Sequence, residues 1–166
     1  MALYESHIVV LFVSLINRKD EMKMSNFSRF MKQNKIAKKN ENFAPTKSLT
    51  DENGNALEWE FTHITSKQNE DLRESNTYDV PIKGKPNMFR GKLNTSKYLA
   101  DMIVASTVSP DLYNKELQDS YGVKTPNDLL FALVDDPGEY SDLCRWIQQF
   151  QGFTETIDEK VDEAKN

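Results

Sequence analysis

The side chains that could do chemistry are few and badly spaced for it. Two histidines, His7 and His63, and one cysteine, Cys144, are all the chain offers as imidazole base or thiol. Nucleophilic catalysis needs a nucleophile beside a base, and no Gly-x-Ser-x-Gly turn is present to display a serine. Cys144 falls inside an apolar helical pattern, with nothing near it in sequence to hold a thiolate, and reads as a small buried hydrophobe. His63 ends a strand pattern and reads as a surface or capping residue.

Gly84-Lys85 and Gly91-Lys92 invite comparison with a phosphate-binding loop. The spacing fails: six residues separate the two glycines, and Leu93 stands where the magnesium-binding hydroxyl belongs. Asp51-Glu-Asn53-Gly54 has the composition of a calcium loop, but its glycine comes two positions early and no glutamate closes it, so a polar turn accounts for it better. Asp135-Asp136 resembles a carboxylate pair, yet helix capping already explains Asp136. The expectation is a binding protein, not an enzyme, with no catalytic residue, cofactor or metal.

The elements that would position a binding surface are easier to read. Leu57, Trp59 and Phe61 alternate with polar residues after an Asn53-Gly54 turn, the pattern of a strand with one buried face. Thr65 and Gln68 form a capping-box pattern that opens a helix to about Arg73. Tyr78, Val80 and Ile82 alternate again, with Pro81 marking an edge, and this strand is expected to pair antiparallel with the first. A loop punctuated by Pro86 and Gly91 leads to a helix from Thr95 or Ser96 that stops before Pro110, with Tyr98, Leu99, Met102, Ile103 and Ser106 on one face. Asp111 is expected to cap the next helix, with Leu112, Tyr113 and Leu117 inward and Gly122 as its stop. Thr125-Pro126 and Asp136-Pro137 start the last two, which bury Leu129, Leu130 and Leu133, then Tyr140, Leu143, Ile147 and Phe150. The fold class is α+β and mainly helical: a small two-stranded antiparallel β element followed by a compact group of about four helices.

Composition bounds the class. With 166 residues and 38% hydrophobic content the chain can build one domain with a real core. A single cysteine excludes a disulfide framework and agrees with a cytoplasmic location. The apolar run Ile8 to Ile16 is far short of the roughly 20 residues that cross a bilayer, and Glu5 before it and Arg18-Lys19 after it do not suit a signal peptide, so no membrane partner is expected. Residues 1–23 read as an N-terminal extension with the natural start at Met24. Residues 24–49 form a basic arm with a short helix over 25–33 that aligns Phe27, Phe30 and Met31, followed by a solvated linker over Lys35 to Asn42. Residues 50–153 are the globular domain, and 154–166 an acidic flexible tail. The run from Lys35 to Asn42 has no interleaved aromatic or glycine pattern and the body is acidic, so nucleic acid is not an expected partner.

Aromatic residues offer the best surface. Trp146 lies on a different face of the last helix from the stripe of Leu143, Ile147 and Phe150, with Phe150 and Phe153 nearby. Core packing is the usual role of such residues. Serving as anchors in a partner's groove is the sharper one, and Trp146, Phe150 and Phe153 are the candidate partner-binding residues.

Several blocks carry a resemblance: Pro45-Thr-Lys-Ser-Leu-Thr-Asp-Glu-Asn-Gly-Asn, Leu57-Glu-Trp-Glu-Phe, Lys92-Leu-Asn-Thr-Ser-Lys-Tyr-Leu-Ala, Pro110-Asp-Leu-Tyr, Glu116-Leu-Gln-Asp-Ser-Tyr-Gly-Val and Gly138-Glu-Tyr. From Met24 onward the chain resembles the XkdN-like tail assembly chaperones of PBSX-type contractile-tail prophages. The resemblance implies a protein of the bacterial host cytoplasm that binds the tail tape measure protein. It would keep that partner's hydrophobic helices soluble while tube subunits polymerise, and be absent from the finished tail. The tail tube protein and further copies of the chain are secondary partners on this view, and no catalytic residue carries over. A structural minor tail protein retained in the particle is the alternative, with a nucleic-acid-binding regulator using Lys32 to Lys39 behind it.

Overall fold

The computed structural model describes residues 27–153. The N-terminal extension, the start at Met24 and the acidic tail lie outside the described residues. Within the unit ending at Lys38, the expected helix over 25–33 is replaced by turns and a short 3-10 helix, Lys32–Asn34, closed by the Lys35 N–H on the Lys32 carbonyl at 3.1 Å. Phe27, Phe30 and Met31 are all exposed. A helical face with nothing to cover does not stabilise so short a segment.

The first strand of the second unit, β1 (Glu41–Phe43), overlaps the end of what sequence suggests is a linker. It pairs antiparallel with β2 (Trp59–Phe61), setting Phe43 opposite Trp59. The Asn40 and Asn42 side-chain amides donate across to the carboxylates of Glu60 at 2.7 Å and Glu58 at 3.2 Å. β2 also pairs with β5 (Thr107–Ser109), giving a three-stranded sheet in the order β1-β2-β5. The alternation in β2 holds, since Trp59 and Phe61 are buried.

β3 (Thr77–Pro81) does not pair with β2. It forms a separate hairpin with β4 (Phe89–Leu93), in register from Thr77 opposite Leu93 to Pro81 opposite Phe89. A local hairpin closes a shorter loop than a pairing across the intervening helix, and so loses less chain entropy. Gly91, which marks a loop in the sequence, lies within β4, where a Cβ would stand 3.0 Å from Thr77 Cγ2.

The helices follow their signals. α1 (Ser66–Ser75) opens on the full Thr65–Gln68 capping box. α2 (Thr95–Ser106) is capped by Asn94 and buries Tyr98, Leu99, Ala100, Met102, Ile103, Val104 and Ser106. α1, α4 (Pro126–Leu133) and α5 (Pro137–Phe150) all pack on α2, which is the core's central rod. α3 (Lys115–Ser120) is capped by Asn114 instead of Asp111, whose carboxylate instead accepts the Tyr113 N–H at 2.9 Å in the preceding turn. That turn buries Leu112 and leaves Tyr113 exposed, contrary to the expected inward pair. Thr125 and Asp136 cap α4 and α5 with proline in the first turn of each. Full burial of a leucine- or isoleucine-sized side chain stabilises by about 1.5–3 kcal/mol, and Leu129, Leu130, Leu143 and Ile147 from the last two helices all reach the core. The chain is thus α+β and mainly helical.

Candidate partner-binding surface

β1 and β2 bring the aromatic residues of α5 together. The Trp146 indole lies between Phe43, at 4.6 Å and 13° from parallel, and Phe150, at 5.1 Å and 6°, and tilts against buried Phe61 at 4.9 Å. Phe150 in turn stacks on the His63 imidazole, with centroids 4.0 Å apart. Trp146 is not set apart from the whole Leu143, Ile147 and Phe150 stripe, because its ring stacks on Phe150 one turn later, and Phe43 of β1 stacks on it as well. Trp146, Phe150 and Phe153 are each half-buried against the core, so part of each side chain packs and part remains accessible. The end of α5 is fixed by Gln151, whose Oε1 accepts the Ile64 N–H at 3.1 Å while its amide donates to the Thr62 carbonyl at 3.1 Å and Ser106 Oγ at 2.9 Å.

A second apolar surface joins segments that sequence reading treats separately. A groove of 380 Å³ is lined by Leu49, Leu57, Trp59, Pro110, Leu117 and Tyr121, with Leu133 also on its wall. Leu57 precedes β2 on the alternation that buries Trp59, and the Leu57 N–H bonds the Leu49 carbonyl at 2.8 Å. Pro110 follows β5 through a cis peptide. Leu117 on α3 and Tyr121 at its C-cap, still in helical conformation, are four residues apart and so share a side. Gly122, at φ +67°, then turns the chain away in a conformation that glycine adopts without strain. Trp59 and Leu133 are buried while Leu57 and Tyr121 are 41% and 39% exposed, giving an apolar floor with apolar lips. Glu58 and Ser109 supply polar groups at the rim. Such a trough can receive side chains from one face of an amphipathic helix.

Other polar groups tie the elements together. The Asp101 carboxylate is held by the side-chain amides of Asn76 at 2.8 Å and Asn127 at 2.6 Å, tying the end of α1 and the start of α4 to α2. Backbone N–H groups of Asn55 and Asn53 donate to Asp51, each at 2.8 Å, and hold its carboxyl below the usual carboxylate range, so the acidic turn is a local hydrogen-bonded loop. Burial, with Cys144 beside it, raises the Tyr140 phenol far above its ordinary value, and burial also raises Tyr98. Among the described residues no three His, Cys, Asp or Glu side chains gather as a metal site.

The family model described as phage XkdN-like tail assembly chaperone protein matches residues 27–165. The chain belongs to this family. Among relatives of this XkdN-like chaperone, the uncharacterized protein YqbN of Bacillus subtilis (strain 168) is 24% identical over 151 residues, covering 91% of this chain and 100% of that one. The phage-like element PBSX protein XkdN of the same organism is 26% identical over 124 residues, covering 73% of this chain and 80% of its own. The crystal structure of YqbN matches the fold with a TM-score of 0.63 at 24% identity, covering 76% of this chain and 95% of that one. Partners among phage tail proteins follow from membership. No described helix is long and apolar enough to cross a membrane.

Proposed function

We propose that this XkdN-like protein binds the tail tape measure protein in the host cytoplasm, keeps it soluble while the tube assembles, and is left out of the finished tail. The groove between Leu57 and Tyr121 carries the reading, because it is an apolar recess whose lips are already exposed on an otherwise polar rim. A long helix with an apolar face aggregates in water unless that face is covered, and a groove of this form covers it one or two turns at a time. Trp146, Phe150 and Phe153 present a second apolar edge to the same class of partner. Two or three buried anchors contribute about 3–9 kcal/mol before the losses of association are counted, so each copy binds weakly and many copies along one partner supply the holding power. Contacts between copies and with the tail tube protein would accompany that arrangement. The role requires no catalysis.

The test is co-expression with the cognate tape measure protein. A soluble complex that co-purifies, together with absence of the chain from purified particles, supports chaperoning. Presence in the particles at a fixed copy number favours a structural tail protein, and an insoluble tape measure protein beside a free partner overturns the proposal.

A further inference from the structure

The hairpin of β3 and β4 is not used by the groove or by the aromatic cluster. None of the residues from Thr77 to Leu93 is buried, and Tyr78, Met88 and Phe89 are 48%, 50% and 61% exposed. The hairpin carries four cations, Lys83, Lys85, Arg90 and Lys92, and one carboxylate, Asp79, on a chain whose formal charge is -5. The ion pairs among the described residues, Lys67–Asp71, Lys115–Asp119 and Asp142–Arg145, engage none of these four cations.

The register sorts this chemistry. Tyr78 stands opposite Lys92 and Val80 opposite Arg90, so these four share one side of the ribbon, and Phe89, Gly91 and Leu93 alternate to the other. β3 contains Pro81, which has no N–H and blunts its outer edge. β4 contains no proline, and no third strand pairs with it among the described residues. Edge cations commonly deter stray pairing, and here they would repel the hairpin of another copy. Deterrence does not account for three large apolar side chains held in water beside them. Apolar surface next to unpaired charge is the make-up of a recognition surface.

We propose that the free edge of β4 recognises an extended acidic segment of a protein partner. The segment adds as a further strand, with carboxylates against Arg90 and Lys92 and apolar side chains against Phe89. Strand periodicity then requires acidic and apolar residues to alternate in it. Charge complementarity favours this occupant over nucleic acid: the chain carries a net negative charge that opposes a continuous phosphate backbone, whereas a short strand meets only the hairpin. The inference stands independently of the groove.

The full chain is titrated by fluorescence anisotropy with a synthetic peptide of alternating glutamate and valine, its lysine–valine counterpart, and duplex DNA. Binding of the glutamate peptide alone is expected, weakening with salt and falling about tenfold in Arg90→Glu/Lys92→Glu. The milder Arg90→Gln/Lys92→Gln serves if the first variant loses its circular dichroism. Equal binding by wild type and variants, or tighter binding of DNA than of the glutamate peptide, overturns the proposal. So does a self-association that the variants abolish without any peptide binding, which would give the ribbon to a second copy.

Discussion

Trp146 is stacked on Phe43, ring centroids 4.6 Å apart, and this contact joins the last helix to the first strand of the folded unit. Phe150 covers the other face of the indole at 5.1 Å. Trp146→Ala empties the slot between two rings and should cost about 2–4 kcal/mol in chemical denaturation, below a fully buried tryptophan because the ring keeps one edge in water. Trp146→Phe should keep most of that stability. If the phenylalanine variant folds normally yet loses capture of the tape measure protein, the indole edge belongs to the binding surface. If capture is unchanged, its role is packing.

The groove makes the opposite pattern of demands. Leu57 and Tyr121 are exposed in the free protein, so Leu57→Glu and Tyr121→Gln should each change folding stability by about 0.5 kcal/mol or less. Capture of the tape measure protein should nevertheless weaken about tenfold for either change, as expected when an interface anchor is lost. Thermal unfolding and pull-down titration on the same preparations separate the two effects.

Asp101 holds two asparagine side chains that come from elements on either side of α2. Asn76 is buried, so Asp101→Leu strands an amide donor away from water and should cost about 1–3 kcal/mol. Hydrogen exchange should then rise first at the end of α1 and the start of α4. A uniform rise across all helices would contradict the clasp.

Burial raises the phenols of Tyr140 and Tyr98 above their unfolded value. The sign follows directly. A group whose pKa is higher when folded contributes its full stability below the unfolded value, about 10 for tyrosine, and that contribution is lost as pH climbs beyond it. The protein should therefore lose stability in alkali, and the tyrosinate absorbance of these two residues should appear with the loss of near-ultraviolet circular dichroism. Tyr140→Phe should remove one phenol from that step. Ionisation of Tyr140 near the ordinary tyrosine value in a still-folded protein would contradict its burial.

Helix starts were legible in the sequence because their signals are local: Thr65 with Gln68, Thr125-Pro126 and Asp136-Pro137 each satisfy their own backbone donors. Strands held only by partners were not. Glu41-Asn42-Phe43 has one apolar residue, and its order comes from β2. Thr107-Val108-Ser109 sits where the preceding helix was free to continue to Pro110, and β4 carries a glycine that reads as a loop. The aromatic candidates were visible as residue types on a helix, but the Phe43 and His63 rings that stack on them are remote in sequence. The groove was invisible for the same reason, since its lips come from separate segments that meet only in the folded chain.

The most direct measurement is photo-crosslinking from position 57 during co-expression with the tape measure protein, with position 67, on the exposed side of α1, as the control. Crosslinks to the tape measure protein from 57 and none from 67 are expected if the groove holds it. Equal crosslinking from both positions, or none from 57 while the complex still forms, would contradict the groove as the site of binding.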